Sequence, residues 1–466
     1  MLPARLLPAH RRSRGQALPL GVLLLAVLAL AWTHGYGLRQ VANARTRLAH
    51  VADVVAYSGA LSQARSLNLA AWISRTQLAH QIAMGHVATL AAWADFGSRQ
   101  AEQQARGNPP AFLIASLFGP RYGTAYRAAG TLLAGAQSEG WAAAYARHDS
   151  LIHDVLEQVR GQTLSRIAET RQAVMTWVMQ QNLHGDYSGL AGSLARDHAR
   201  LSLYADTLPG AIGSQRAEVG QGGHAWLTQQ IRNTPFLAPR NETARNHYLV
   251  SPYCPHLRHE LRRRGTTTLD ADGRWQALDT LSFKALRRNR WVGCYFRPYP
   301  MGWAWAAPAG ARPGAMHTQG APSHFGDEAF WRWLQDKTNW PLLGRQDNPL
   351  ATSYAAAAPL ALRSRGLTPD VAIQAGRLQF SIGLAVPAHT LQTANAASRV
   401  ALAGDWRFQA LQAEDWLQVQ SAAAVEYVRP HGKHGVALEA ANLYLPYWQA
   451  RLAPGNAAAL HQGAQP

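Results

Sequence analysis

The hydrophobic pattern begins with one apolar run. Between Ala17 and Trp32 stand Leu18, Leu20, Val22, Leu23, Leu24, Leu25, Val27, Leu28 and Leu30, and nothing from Gly15 to Thr33 carries a charge. A membrane-crossing helix needs about 20 apolar residues, with roughly 17 as the lower limit, so the pattern predicts a transmembrane helix over 16–36. Arg5, Arg11, Arg12 and Arg14 precede it without an acidic residue. The positive-inside rule then leaves a cytoplasmic leader over 1–15 and carries the bulk of the chain across. Two other fates compete with a retained anchor. Ala29-Leu30-Ala31 fits a small-x-small signal cleavage site, with release after Ala31, and prepilin-type processing would cut between Gly15 and Gln16.

Helical periodicity continues past the apolar run. No proline occurs from Leu38 to Gln104. Val41, Leu48, Val51 and Val55 share a helical face. Ala52, Ala56, Ala60 and Ala64 repeat every four residues, a small-residue ridge that lets another helix approach closely. A second stripe runs through Trp72, Ala79, Ala83, His86, Leu90 and Trp93. Trp141 to Asn182 reads as one or two more helices with Leu151, Val155, Leu156, Val159, Leu164 and Ile167 as the apolar set, and 186–206 suggests another. Residues 207–245 are rich in Gly, Pro and polar residues, the texture of a linker. Strand patterns follow: Leu378, Phe380, Ile382, Leu384 and Val386 alternate cleanly, and Trp275–Phe283 and Trp291–Phe296 are two further candidates. A long loop is expected over 306–326. The expected fold is α+β. A transmembrane helix continues into a helical stalk or bundle over 37–206, followed by the 207–245 linker, a strand-containing extracytoplasmic domain over 246–455 and a flexible tail over 456–466.

Charge adds less than its size suggests. The 466 residues hold 45 Lys and Arg against 27 acidic residues, a formal charge of +18. Only Lys284, Lys337 and Lys433 are lysines, and arginine this dominant beside abundant alanine fits a GC-rich coding bias. The densest clusters, Arg262–Arg264 and Lys284–Arg290, are short, whereas a nucleic-acid reader needs a concentrated basic stripe with docking elements. No nucleic-acid partner is expected. Cys254 and Cys294 are the two cysteines, and an even pair in an exported chain is a disulfide candidate.

Searching for chemistry gives little. There is no Gly-x-Ser-x-Gly elbow, P-loop or Cys-x-x-Cys. His256-Leu257-Arg258-His259-Glu260 holds zinc-type residues in neither zincin order and reads as surface histidines. His80 and His86 are six apart, off the spacing of a shared ligand pair. Asp327-Glu328 before "AFWRWL" reads as a helix start. No catalytic, cofactor or metal residue is assigned. The sixteen tryptophans, among them Trp303, Trp305, Trp331 and Trp333, read as core with some interaction surface.

Two blocks carry a family resemblance. "RGQALPLGVLLLAVLALAW", followed by the segment from Leu38 through "VADVVAYSGA" (Val51–Ala60) to Phe96, resembles the TadE/TadG-like proteins of the Flp/Tad pilus assembly system, in its TadG-related branch. "SAAAVEYVRP" and "NLYLPYWQARL" (Asn442–Leu452) resemble that branch's closing block. Together they cover 11–96 and 421–452. Two departures stand out. Pilins usually carry glutamate at the fifth position after the cleaved glycine, which here is Leu20. The Asp-x-Ser-x-Ser metal motif found in some relatives is also missing; the nearest string, Asp279-Thr280-Leu281-Ser282, has the wrong order. The resemblance implies a non-enzymatic pilus-assembly component, pseudopilin-like or an assembly factor, held in the bacterial inner membrane. Its helix would pack with other Tad pilus or secretion components in a hetero-oligomer. The alternatives are a released adhesin for polyanions or surfaces, and an envelope enzyme with an unrecognised site.

Overall fold

The computed structural model describes residues 17–105, 111–133, 139–183, 198–216, 227, 229, 232–308, 360–367, 371–373, 376–387, 416–429 and 441–454. Helix α1 runs unbroken from Ala17 to Ala105. Among the described residues six further helices follow: α2 (Ala111–Phe118), α3 (Pro120–Leu133), α4 (Glu139–Ser150), α5 (Glu157–Ser165), α6 (Ile167–Asn182) and the short α7 (Leu208–Ala211). A π-helical turn, Leu151–Leu156, joins α4 to α5. The strands are β1 (Arg200–Tyr204), β2 (Ile212–Arg216), β3 (Glu242–Arg245), β4 (Glu260–Leu269), β5 (Trp275–Asn289), β6 (Gly293–Pro308), β7 (Leu360–Leu362), β8 (Val371–Ile373), β9 (Arg377–Pro387), β10 (Trp416–Tyr427) and β11 (Trp448–Ala453). They form a four-stranded sheet in the order β1-β9-β10-β11, a five-stranded sheet in the order β3-β4-β5-β6-β7, and a β2-β8 pair. All pairings are antiparallel except β6 with β7.

The expected transmembrane helix is corrected. Among the described residues no helix is long and apolar enough to cross a membrane. The apolar run of α1 within the described residues extends from Ala17 to Trp32, about 24 Å at 1.5 Å per residue, short of the ~30 Å hydrocarbon layer. The single-pass inner-membrane placement, with its cytoplasmic N-terminus, falls with it. So does the picture of a stalk leading to a separate strand domain, because α1 is the spine on which both large sheets are built. The 1–15 leader, Gly15, Gln16 and the tail from 456 lie outside the described residues.

The small-residue ridge shows why α1 can be a spine. Ala52, Ala56, Ala60 and Ala64 are buried, in one core with Leu48, Val55 and Leu67 of α1, Met175 of α6, and Phe380, Ile382, Ala423 and Val425 of β9 and β10. A Cβ built on Gly59 would lie 2.7 Å from Met175 Cγ and 3.2 Å from Phe380 Cζ. Small side chains therefore set the approach of α6 and the sheet to α1. The alternating Leu378, Phe380, Ile382, Leu384 and Val386 supply the sheet's inner face, all fully buried.

Further along, α1 lies on the five-stranded sheet. Leu78, Met84, Ala88, Ala91 and Ala92 share a core with Tyr145, Ile152, Trp275, Ala277 and Ala306. A Cβ on Gly85 would meet the Trp275 ring at 2.9 Å. The stripe expected through Trp72 and Trp93 is off register, since both tryptophans are exposed. The buried face carries polar residues that break the hydrophobic periodicity. Gln77 donates to Ile152 O at 3.2 Å and Gln81 to Gly366 O at 3.1 Å, while the Thr89 and Thr267 hydroxyls meet at 2.7 Å. A third core joins Phe96, Ile114, Phe118 and Tyr126 to Leu281, Phe283 and Ala285.

Other expectations shift in detail. Val155 and Val159 are exposed, and Ile152 is the buried member of that turn. Where 186–206 suggests a helix, β1 occupies 200–204 and pairs with β9. Strands β2 and β3 lie within 207–245. Trp291 falls in the β5–β6 turn rather than on a strand, while Trp303 and Trp305 are buried in β6. Residues 309–359, with Trp331 and Trp333, lie outside the described residues.

Overfilling the ridge tests this packing. Ala56→Leu is expected to destabilise the fold by about 1–3 kcal/mol through overpacking, read as a lowered chemical-denaturation midpoint. Val54→Ala, at an exposed position one turn-edge away, should stay within about 0.5 kcal/mol of the parent.

Candidate interaction surfaces

The two blocks that carry the family resemblance meet in the fold. Asn68 of α1 makes a two-way amide clasp with Trp448: its Nδ2 donates to Trp448 O at 2.9 Å, and the Trp448 N–H donates to its Oδ1 at 3.0 Å. Lower on α1, Asp53 accepts from Ser421 Oγ at 2.7 Å. Asn442 orders the approach to β11, its Oδ1 accepting from the Tyr444 and Leu445 amides at 3.0 Å and its Nδ2 donating to Tyr427 Oη at 2.9 Å. Trp448 Nε1 closes the motif on Asn442 O at 3.2 Å. Sequence reading overlooks Asn68; an amide in a helix of buried Leu and Ala neighbours is the signal that points to such a clasp.

Ion pairs tie the other elements to one another, and one of their arginines also reaches the spine. Arg171 of α6 is almost fully buried. It donates to Gln63 Oε1 at 2.9 Å and to Asp206, and its guanidinium lies 4.6 Å from the Phe380 ring centre. Arg365 donates through Nε to Asp149 at 2.9 Å and through Nη1 to Asp154 at 2.6 Å, fixing the 360–367 segment to α4 and the π-turn. That contact holds the Asp154 carboxyl well below the usual carboxylate range. Asp279, inside the string that misses the metal motif, is fully buried on β5 and accepts from Arg240 Nη2 at 3.0 Å. A lone buried carboxylate would be costly, and the guanidinium offsets that cost.

Four of the described histidines have partners within the fold. His259 Nδ1 accepts the Leu286 N–H at 2.9 Å, and burial, with Arg287 nearby, lowers its pKa. Glu260 is buried and paired with Arg245 and Arg262. His86 Nδ1 sits 2.9 Å from Ile82 O, and its ring stacks on Phe236. His80 of α1 and His148 of α4 meet through their Nδ1 atoms at 2.9 Å. Burial, then His80, then Arg147 lower the His148 pKa. Among the described residues no cluster of three or more His, Cys, Asp or Glu is placed to hold a metal.

Two surfaces look outward. On α1 the described side chains from Ala17 to Asn43 are exposed, and burial begins at Ala44. The apolar part, Ala17–Trp32, is therefore uncovered on every face, in contrast to the buried ridge. The second is the β5–β6 turn, where Cys254 and Cys294 are bonded with their Cα atoms 6.1 Å apart. No protein-family model, curated protein or solved structure matches the chain.

Two predictions follow from these contacts. The native protein should offer no alkylatable thiol before reduction, and losing the bridge should lower stability by about 3–4 kcal/mol through loop-closure entropy. Labelling of two thiols without reductant would contradict this. For His148 the folded pKa lies below the ordinary ~6.5. Its neutral pairing thus contributes stability fully above that value, and the contribution is lost as pH falls through the depressed folded value. The stability difference between pH 7.5 and pH 5 should shrink in His148→Gln relative to the parent, measured by denaturant titration at both pH values.

Proposed function

We propose that the chain is a non-enzymatic component of Flp/Tad-type pilus assembly that acts by packing helices with other pilus components. The observation that supports this reading is the exposed apolar section of α1, Ala17–Trp32, built onto a helix whose remaining length is held in the chain's own cores. A helix apolar all round is stable in water only when buried. Leu18, Leu20, Leu23, Leu24, Leu25 and Leu28 are spread round the whole circumference, so no single flat partner covers them. Several helices from other subunits do, which favours a hetero-oligomeric assembly. Covering a leucine fully contributes roughly 1.5–3 kcal/mol, and ten large apolar side chains together exceed the ~4–15 kcal/mol cost of association.

The buried ridge alters how such packing works. Ala52, Ala56, Ala60 and Ala64 are occupied by α6 and the four-stranded sheet, so partner contacts fall to the section before Ala44. The docking of Asn68 on Trp448 and of Asp53 on Ser421 gives the two family-like blocks a shared physical reason, since each is the other's partner. Leu20 leaves the section without the carboxylate typical of pilins, which suits an assembly factor better than a filament subunit.

Deleting the gene should abolish or sharply reduce surface pili, scored by electron microscopy. Leu24→Arg should reproduce the loss with the folded domain intact by circular dichroism. Normal piliation after deletion would contradict the proposal.

A further inference from the structure

The outer end of the β5–β6 hairpin is built unlike the rest of the five-stranded sheet. Strand β4 accompanies β5 only as far as the Glu260–Lys284 pair. Beyond Lys284 the two strands run on as a ribbon to the Asn289–Gly293 pair. The loop is Arg290-Trp291-Val292, closed by Gly293 at φ +77°, the left-handed position that three-residue hairpin loops need. Asn289 Oδ1 accepts the Trp291 N–H at 2.8 Å and fixes the turn. A free two-stranded ribbon is marginally stable in water. Here the Cys254–Cys294 bond ties it to the Pro252–Leu257 loop.

What the ribbon presents is layered. At the apex Trp291 is 80% exposed and Val292 70%. Behind them stand exposed Tyr253 and Tyr295. Around them Arg287, Arg288 and Arg290 are exposed. Arg288 lies 3.6 Å over the Tyr253 ring and Arg290 4.7 Å from the Trp291 ring centre. Neither 251–259 nor 285–297 contains an acidic residue. The adjoining Glu260 is buried and already paired with Arg245 and Arg262. Among the described residues no carboxylate pairs with Arg287, Arg288 or Arg290.

We propose that this disulfide-braced tip is a docking surface for an anionic lipid bilayer, with Trp291 and Val292 entering the acyl boundary and Arg287, Arg288 and Arg290 meeting the phosphates. The order of the layers favours lipid over a soluble polyanion. Arginines and aromatic faces would serve a polyanion, but an outward valine at the apex gains nothing from one. Tryptophan and tyrosine are suited to the headgroup level, with an apolar body and a polar edge. Basic side chains near an anionic leaflet add attraction that salt screens. The bridge orders the tip beforehand, so little freedom is lost on docking. This surface is independent of the pilus reading, which rests on α1.

Co-sedimentation of the full chain with vesicles tests it. Phosphatidylcholine vesicles containing 30% phosphatidylglycerol are compared with pure phosphatidylcholine for the parent and for tip variants, which leave the apolar section of α1 and its exposed Arg39, Arg45 and Arg47 unchanged. Binding to the anionic vesicles should exceed binding to the neutral ones. That excess should fall about tenfold in a Trp291→Ser, Val292→Ser double variant and by about fivefold for each of Arg287→Gln, Arg288→Gln and Arg290→Gln. Circular dichroism and an unchanged melting midpoint establish that the variants fold. Equal binding of the double variant to anionic vesicles would overturn the proposal. So would heparin binding that depends on the arginines while lipid binding does not depend on Trp291 and Val292. Dimer dissociation caused by the double variant would instead mark the tip as a contact between copies, and would also overturn it.

Discussion

The fold depends on how closely one helix approaches a sheet and another helix. At Gly59 the backbone of α1 stands where any side chain would collide with Met175 or Phe380, and Ala56 and Ala60 beside it are fully buried in the same core. With that approach set, the fully buried β9 face, the Arg171–Asp206 pair and the Asn68 clasp on Trp448 all fall within reach of α1. The same helix then delivers Gly85 beneath Trp275 and Thr89 against Thr267. Two sheets that share no strand are held in one molecule because both rest on α1.

Using most of a helix internally leaves its start to act externally. The described side chains up to Asn43 are all exposed, and the first buried one is Ala44, so the described part of α1 divides into an outward apolar section and a spine with one inward face. The division also bears on specificity. A small-residue ridge offered to any neighbouring helix would be promiscuous, whereas a ridge sealed by β9, β10 and α6 leaves partners only the leucine-rich section. Polar anchors give the spine its register. A one-residue slip would break both hydrogen bonds of Asn68 and separate Asp53 from Ser421.

Much of this was legible in the residues, though not evenly. The Ala52–Ala64 ridge announced close packing, and the clean alternation of Leu378–Val386 announced a core strand. Which surfaces the ridge meets depends on contacts more than 100 residues away in sequence to α6 and more than 300 to β9 and β10, and periodicity carries no such information. The second half of α1 misled because Gln77, Gln81 and Thr89 face inward and bond to backbone or to side chains, while Trp72 and Trp93 face out. Pattern matching follows hydrophobicity, and a buried polar residue with a partner is invisible to it. β1 escaped notice because a five-residue edge strand with Arg200 and Leu203 exposed has little alternation to show. The apolar run looked long enough to span a bilayer when its ends were counted generously, but beyond Trp32 the sequence turns polar at Thr33 and His34.

Hydrogen exchange of the isolated chain, resolved along α1 by mass spectrometry, tests the division of the helix most directly. Peptides from Leu48–Ala70 and Leu78–Phe96 should exchange as slowly as those from β9 and β10, while peptides before Ala44 exchange well ahead of them. Slow exchange before Ala44, or early exchange in Leu48–Ala70, would show that the spine and the outward section are not divided in this way.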